Sequence, residues 1–512
     1  MVKMRDGILL ETDIYYPNTL ESCPVILIRT PYNKLLHKDE AMGWVNNKFA
    51  FVVQDVRGKF NSQGEWEPYE NEINDGFDTV EWIFNQKWAQ KNNIIIKGAS
   101  YQAFTAFAAA QTNHPSIRTI ITYVPAMGLY ESTFTPDGIL YLFGRLSWNF
   151  THGTELESRK TELFNEIIQT NPKTLLHLPV VEMDKEIQFK INNWSKHISE
   201  IKNSTELKNK TSIKLENINI PVLHIGGLND PFIEATINNF TKLKDNNQSQ
   251  KLIVGPWTHD VNQGTSLGFR NFSKRSILDL ASIEINWIKS CLQEKDINMD
   301  ERVLYFIMGS NKWLTSETWP PNHKLEKLYF SNSENALVTF PKNDVAQNYY
   351  YNPEKPVPSL IGPVDQSKIQ KRNDVIVYSS EPFDKDINIV GSPKVNLFVN
   401  SSATNTDFIV KLNETLPNGQ SILITYGAIR TSFDNKPYPK QIKINLNTTS
   451  LTIKKGSILT VEITSSFFPY MERNLNTGRD NVYEKEPIIA KQSIYTGITY
   501  PSNITLPILI EE

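Results

Sequence analysis

The sequence predicts an α/β domain on a mainly parallel sheet, interrupted by a helical insertion and followed by an all-β domain. Early in the chain, continuous apolar runs such as Val25-Ile26-Leu27-Ile28 and Phe49 to Val53 alternate with helix-spaced segments. Strands that are apolar throughout belong to a sheet covered on both faces. The rhythm breaks between about Met127 and Leu215, where polar helical stretches such as Arg159 to Gln169 replace β-branched runs. Beyond Trp319-Pro320-Pro321, short alternating strands separated by Asn, Pro, Gly and Ser turns predict a β-sandwich or jelly roll.

Taken in order, Ile8 to Tyr16 alternates like an exposed strand, and Pro24 to Tyr32 and Phe49 to Val53 are covered strands. Glu70 to Asn85 carries Ile73, Phe77, Val80 and Phe84 at helical spacing. An apolar strand through Ile94-Ile95-Ile96 enters a Gly-x-Ser turn, a helix follows over Phe104 to Gln111, and Ile117 to Val124 is the next strand. Strands resume at Pro221 to Ile225 and Lys251 to Val254, and helix Ser273 to Gln293 with strand Val303 to Met308 closes the domain. The C-terminal part shows strands at Pro393 to Asn400, Phe408 to Asn413, Ile422 to Ile429 and Ser457 to Ser465. The expected division is a first domain over 1–126 and 216–318, an insertion over 127–215 and a β-domain over 319–512.

Composition narrows the function. The 512 residues carry a net charge of −3, with 53 basic and 56 acidic residues interspersed, so no basic face for nucleic acid or an anionic membrane stands out. Cys23 and Cys291 lie far apart and outside metal-ligand spacing, which excludes a disulfide framework, and neither a metal nor another cofactor is expected. Residues Met1 to Gly7 lack the apolar run of a signal peptide, and no run reaches membrane length, so the expected address is cytoplasmic. The partner these features leave open is a small molecule.

The stretch Lys97-Gly98-Ala99-Ser100-Tyr101-Gln102-Ala103 has the form of a nucleophile elbow. There a serine sits on a strained strand-to-helix turn and the next N–H can face an oxyanion. Neighbours of the serine must be small, and Gly98, Ala99 and Ala103 meet that need, although Gln102 occupies the usual second glycine position. A serine nucleophile needs a base and an orienting carboxylate, which follow it in the chain order serine, acid, histidine in α/β-hydrolases. Among the later histidines, His224 falls inside an apolar strand and reads as core, whereas His259 lies just past a strand end in Gly255-Pro256-Trp257-Thr258-His259. Asp230, in Gly226-Gly227-Leu228-Asn229-Asp230-Pro231, is the candidate acid; it also reads as the N-cap of a helix starting near Pro231, and both roles can coexist.

Further pieces extend this pattern along nearly the whole chain. They are Met4-Arg5-Asp6-Gly7, Arg29-Thr30-Pro31-Tyr32, Gln54-Asp55-Val56-Arg57-Gly58, Met308-Gly309 with Trp313 and Trp319, Thr406-Asp407-Phe408 and Arg473 to Gly478. In order and spacing the chain resembles the cocaine-esterase-like (CocE/NonD) serine hydrolases, relatives of X-prolyl dipeptidyl-peptidases and α-amino acid ester hydrolases. The resemblance implies an α/β-hydrolase domain with a helical cap insertion and a C-terminal jelly roll. It implies Ser100 as nucleophile, His259 as general base and then acid, and Asp230 as its orienting partner. Tyr32 would be an oxyanion donor through its hydroxyl, beside the N–H of Tyr101; without the family match Tyr32 reads as an aromatic strand-end residue.

By the same resemblance Gln54 approaches the substrate, with structural fixing as the other role, and Asp55 and Arg57 form an ion pair or a turn. Phe232 and Trp148 would wall an acyl group. Ala103 stands where the family has glycine, and Pro231-Phe232-Ile233 precede Glu234 where the α-amino acid ester hydrolases have an acidic cluster, so an α-amino requirement is not expected. The X-prolyl peptidases carry an added N-terminal domain, and this chain begins at the catalytic domain. The expected activity is therefore cleavage of a carboxylic ester or amide through an acyl-enzyme. The alternatives are X-prolyl dipeptidyl-peptidase-like or acylase activity, or ligand or carbohydrate binding without catalysis. The jelly roll also offers surfaces for a homodimer.

Overall fold

A computed structural model describes residues 1–18, 22–154, 159–244, 249–293, 301–434 and 438–510. The chain opens with a hairpin of β1 (Val2–Lys3) and β2 (Leu9–Leu10). There follow β3 (Thr12–Tyr15), β4 (Cys23–Thr30), β5 (Ala50–Asp55), β6 (Ala89–Ala99), β7 (Ile117–Tyr123), β8 (Val222–Gly227) and β9 (Gln250–Gly255). After a second small hairpin, β10 (Ser266–Leu267) with β11 (Arg270–Asn271), come β12 (Val303–Ile307) and β13 (Lys312–Ser316). The strands outside the hairpins form a nine-stranded sheet in the order β13-β12-β9-β8-β7-β6-β4-β5-β3. Its inner pairings are parallel and both edge strands run antiparallel.

The helices are α1 (Lys38–Asn46), α2 (Glu72–Phe84), α3 (Tyr101–Ala110), α4 (Leu142–Gly153), α5 (Lys160–Thr170), α6 (Met183–Ile187), α7 (Ile201–Asn203), α8 (Thr205–Lys210), α9 (Ile233–Lys244) and α10 (Leu280–Leu292). Successive strand residues point to opposite faces. Val25 and Leu27 therefore pack with Val52, Ile94, Ile96 and Phe107, on the side of α2, α3 and α9. Ile26 and Ile28 pack with Phe51, Val53, Ile95, Trp44 and Trp287, on the side of α1 and α10. This two-sided burial is why the strands are apolar at every position.

Helices α4 to α8 all fall between β7 and β8. Their apolar faces and the segments between them gather Leu146, Phe150, Phe164 and Trp194 around Tyr69, Tyr101 and Phe104. From β14 (His323–Ser331) to β26 (Asn503–Leu509) the chain is mostly β, in one thirteen-stranded sheet assembly. Its core is continuous with Leu252, Val254, Val303 and Phe306 of the first sheet. No helix among the described residues is long and apolar enough to cross a membrane.

Several boundaries differ from the expectation. The C-terminal helix of the first domain begins at Leu280 rather than Ser273, because Asp279 caps it through the N–H of Ser282 at 3.1 Å. Helix α3 begins at Tyr101, immediately after the serine, three residues before the expected start. After Val303–Ile307 the sheet gains one further strand that the periodicity did not show, the antiparallel edge β13. Helix α1 has a weak apolar pattern and buries only Ala41 and Trp44, so periodicity did not show it.

Candidate active site

Strand β6 delivers Ser100 to the end of the sheet with φ 58° and ψ −120°, a left-handed conformation unusual for a residue with a side chain. Its backbone is fixed on both sides: its N–H donates to the Tyr123 carbonyl at 3.0 Å, and its carbonyl accepts from Ala103 at 3.1 Å and Ala126 at 3.2 Å. Glycine is required at 98, where an added Cβ would lie 2.3 Å from the Gln102 carbonyl. Ala103 is fully buried.

Gln102, the residue at the unexpected elbow position, ties three segments together. Its Nε2 donates to Thr30 Oγ1 at 2.9 Å and lies 2.9 Å from His37 Nε2, and its Oε1 accepts from the Ala99 N–H at 3.4 Å. Thr30 Oγ1 also accepts the Tyr32 N–H at 3.0 Å. The amide thus links the serine turn to the Tyr32 loop, a role no local pattern announces.

Asp230 and His259 come from the loops after β8 and β9. The two loops are laced by backbone bonds, Leu228 N–H to the Gly255 carbonyl at 2.8 Å and Asn229 N–H to the Trp257 carbonyl at 2.9 Å. That close approach needs Gly227, where a Cβ would lie 2.3 Å from the Trp257 carbonyl oxygen. Asp230 Oδ1 then meets His259 Nδ1 at 2.7 Å, while Oδ2 accepts the Phe232 N–H at 3.0 Å. Asp230 is therefore both imidazole partner and helix cap. The bond to Asp230 keeps the Nδ1 proton in place and leaves Nε2 as the basic nitrogen.

Burial pulls His259 toward its neutral form, but the hydrogen bond and charge of Asp230 outweigh it and hold the imidazole above its ordinary value. Burial likewise raises Asp230, against the opposing pull of His259. Phe232 packs edge-on to His259 with ring centroids 5.6 Å apart.

The Tyr32 hydroxyl neighbours the Ser100 side chain, the Tyr101 backbone and Trp148, and burial pushes its pKa up to about 12. It stays a protonated donor across the neutral range. The Tyr101 side chain serves elsewhere, donating to Glu72 Oε1 at 2.9 Å and accepting the Tyr69 N–H at 2.7 Å. Ser100, Tyr101, Trp148, Phe232 and His259 line one cavity of about 760 Å³, with Tyr470 reaching it from the C-terminal domain.

Two readings that held alternatives resolve here: the substrate contact of Gln54 gives way to structural fixing, and the Asp55–Arg57 ion pair gives way to a turn, in which the Lys59 N–H donates to the Val56 carbonyl at 3.1 Å. Gln54 is fully buried in β5 and spent on Arg29 Nε, Thr79 Oγ1 and Thr12 Oγ1 at 2.9, 2.9 and 3.1 Å, so it has no free group for substrate. Asp55 and Arg57 do not pair. Arg57 binds Asp75 and Asp6, each at 2.6 Å, while Asp55 accepts the Lys34 N–H at 2.7 Å. His224 is buried against Gln250 at 2.9 Å, as expected for a core histidine.

Comparison with known proteins places this geometry. Residues 6–260 match the model of the X-Pro dipeptidyl-peptidase (S15 family), and residues 296–505 match that of the X-Pro dipeptidyl-peptidase C-terminal non-catalytic domain. The chain is 28% identical to a cocaine esterase from Rhodococcus sp. (strain MB1 Bresler) over 99% of its own length and 98% of that protein. Among solved structures, an aminopeptidase from a marine sediment Thaumarchaeota archaeon superposes with a TM-score of 0.84 at 20% identity, covering 100% of this chain and 95% of the other. An α-amino acid ester hydrolase does so with a TM-score of 0.80 at 21% identity, covering 99% and 96%. A CocE/NonD family hydrolase from Staphylococcus aureus gives 0.70 at 17%, covering 99% and 92%.

Proposed function

This chain belongs to the serine hydrolases of the S15 and CocE/NonD group, and we propose that Ser100, His259 and Asp230 are its triad in the cleavage of carboxylic esters of small molecules. The observation that carries this is Ser100 on its strained turn, with the Tyr32 hydroxyl as a neighbour, in a cavity also lined by His259, whose Nδ1 meets Asp230 Oδ1 at 2.7 Å.

His259 Nε2 takes the Ser100 proton as Oγ attacks the carbonyl, and Asp230 stabilises the imidazolium that forms. Tyr32 and the Tyr101 N–H receive the oxyanion, and His259 returns the proton to the leaving alcohol. Water, activated by the same imidazole, then hydrolyses the acyl-enzyme. Phe232 and Trp148 flank the acyl group. We further read α4 to α8 as a cap over the cavity and the C-terminal sheet as a jelly roll that buttresses it. Supporting the second role, Arg430 donates to the Gly138 carbonyl at 3.2 Å, just before α4, and Phe143 N–H in its first turn donates to the Pro469 carbonyl at 3.1 Å.

The test is a pre-steady-state burst with p-nitrophenyl butyrate and a fluorophosphonate label located by peptide mass spectrometry. One equivalent of p-nitrophenol per enzyme and label on Ser100 support the acyl-enzyme; label on another residue, or none, overturns it. The S15 match favours one parallel assay, since the X-prolyl dipeptidyl-peptidase reading uses the same triad. Glycyl-prolyl p-nitroanilide turned over faster than the ester would replace the esterase by a peptidase.

Two further outcomes follow from the geometry. Tyr32→Phe removes one oxyanion donor and is expected to lower kcat about 10²- to 10³-fold with KM little changed; a loss below threefold would remove Tyr32 from the oxyanion site. The pH profile of kcat/KM should fall on the acid side, because protonated His259 cannot accept the serine proton. As Asp230 favours the imidazolium, the midpoint should lie above the 6.5 of an ordinary histidine. A midpoint below that value would separate His259 from the base function.

A further inference from the structure

One charge in the cavity is unused by ester hydrolysis as such. Arg145 of α4 is 3% exposed yet lines the same space as Ser100 and His259. Its Nη2 meets Nδ1 of His197 at 2.7 Å, its guanidinium lies 4.7 Å from the Trp148 ring centroid, and the Tyr69 hydroxyl is a further neighbour. Its Nε is buried without a partner. His197 is held well below the ordinary imidazole value by burial and by Arg145, so it is a neutral acceptor and cancels no charge. Among the described residues no carboxylate pairs with Arg145.

Several other buried or half-buried guanidinium groups of the fold sit against carboxylates. Arg29 is paired with Glu72 at 2.8 Å, Arg57 with Asp75 at 2.6 Å, Arg270 with Glu414 at 3.0 Å, and Arg430 with Asp407 and Glu472 at 2.8 and 2.9 Å. Arg473 lacks a bonded carboxylate but donates to the backbone carbonyls of Pro353 and Leu176. An arginine cannot shed its proton, and a buried unpaired charge is costly. Arg145 alone of these keeps an unpartnered guanidinium nitrogen and no anionic oxygen, and it does so in the wall of the substrate cavity.

Trp148 links Arg145 to the serine: its ring covers the guanidinium, and it is also a neighbour of the Tyr32 hydroxyl. Arg145 is thus one indole ring away from the oxyanion donors. An acyl chain laid along Trp148 would reach Arg145. The other charged lining residues, Glu131, Glu234 and Lys242, are exposed.

We propose that Arg145 binds a carboxylate at the far end of the substrate's acyl group, so that the cavity selects half-esters of short dicarboxylic acids over neutral esters of equal length. This rests on the Ser100 acyl-enzyme reading. The anion would supply the counter-charge the fold withholds, in a charge-assisted and potentially bidentate hydrogen bond.

The experiment compares monoethyl glutarate with ethyl pentanoate by pH-stat titration for wild type, Arg145→Met and Arg145→Lys. Wild type should favour the half-ester in kcat/KM by about 10- to 100-fold, the range of a charge-assisted pair. That ratio should fall at least tenfold in Arg145→Met and only partly in Arg145→Lys. Should the variants not fold, competitive inhibition of wild type by glutarate, with neutral glutaramide as control, reads the same site. Equal wild-type rates on the two esters, or equal inhibition by glutarate and glutaramide, overturn the carboxylate site while leaving the esterase intact. Turnover of neither ester, with no label on Ser100, sinks the esterase reading and this inference with it.

Discussion

Ser100→Ala is expected to lower kcat for p-nitrophenyl butyrate by about 10⁴- to 10⁶-fold, the range seen when a serine nucleophile is removed from a working triad. At 1.36 kcal/mol per decade that is about 5 to 8 kcal/mol of transition-state stabilisation. The substitution deletes only Oγ, whereas the strained turn at φ 58° is held by the Ser100 backbone bonds to Tyr123, Ala103 and Ala126. Those bonds survive in the variant, so the folded state should persist. The checks are steady-state kinetics, loss of fluorophosphonate labelling, and an unfolding midpoint compared with wild type. Retention of more than a tenth of the rate by a folded, unlabelled variant would end Ser100's candidacy as nucleophile.

Asp230→Asn should cost about 10⁴-fold in kcat near neutral pH, and for a different reason. The amide can present N–H to His259 Nδ1, where the carboxylate now accepts at 2.7 Å. Imidazole then answers with its other tautomer, the proton moves to Nε2, and the nitrogen facing the chemistry is no longer basic. The amide oxygen can still accept the Phe232 N–H that Oδ2 holds at 3.0 Å, so the cap of α9 should survive and stability should change little. Thermal unfolding together with kinetics separates the two roles. A large stability loss with kcat preserved would leave Asp230 as a cap alone.

The two substitutions also separate what was legible in the sequence from what was not. Ser100 stood out because an elbow is local: an apolar strand, a glycine where Cβ would strike the next turn, and small residues after it lie within a dozen positions. His259 and Asp230 were legible for a related reason, since strand-ending loops with glycines must pass over the sheet. Even so, only the pairing of β8 with β9 brings those loops into register. Apolar periodicity likewise gave the covered strands and α2, while the weakly patterned α1 and the capped start of α10 escaped it.

What the sequence determined by itself was the order of elements, the break between β7 and β8, the change to β-structure after Trp319, and the residues that local geometry makes special. The tertiary structure decided which polar groups meet. It spent Gln54 on Arg29, sent Arg57 to Asp75 and Asp6 instead of Asp55, made Gln102 a brace between elbow and Tyr32 loop, and left Arg145 without a carboxylate in the cavity wall. Burial is encoded by periodicity along the chain, one residue at a time. Hydrogen-bond and charge partners are fixed by strand register and helix packing across dozens of residues, and for these side chains nothing along the chain names the partner.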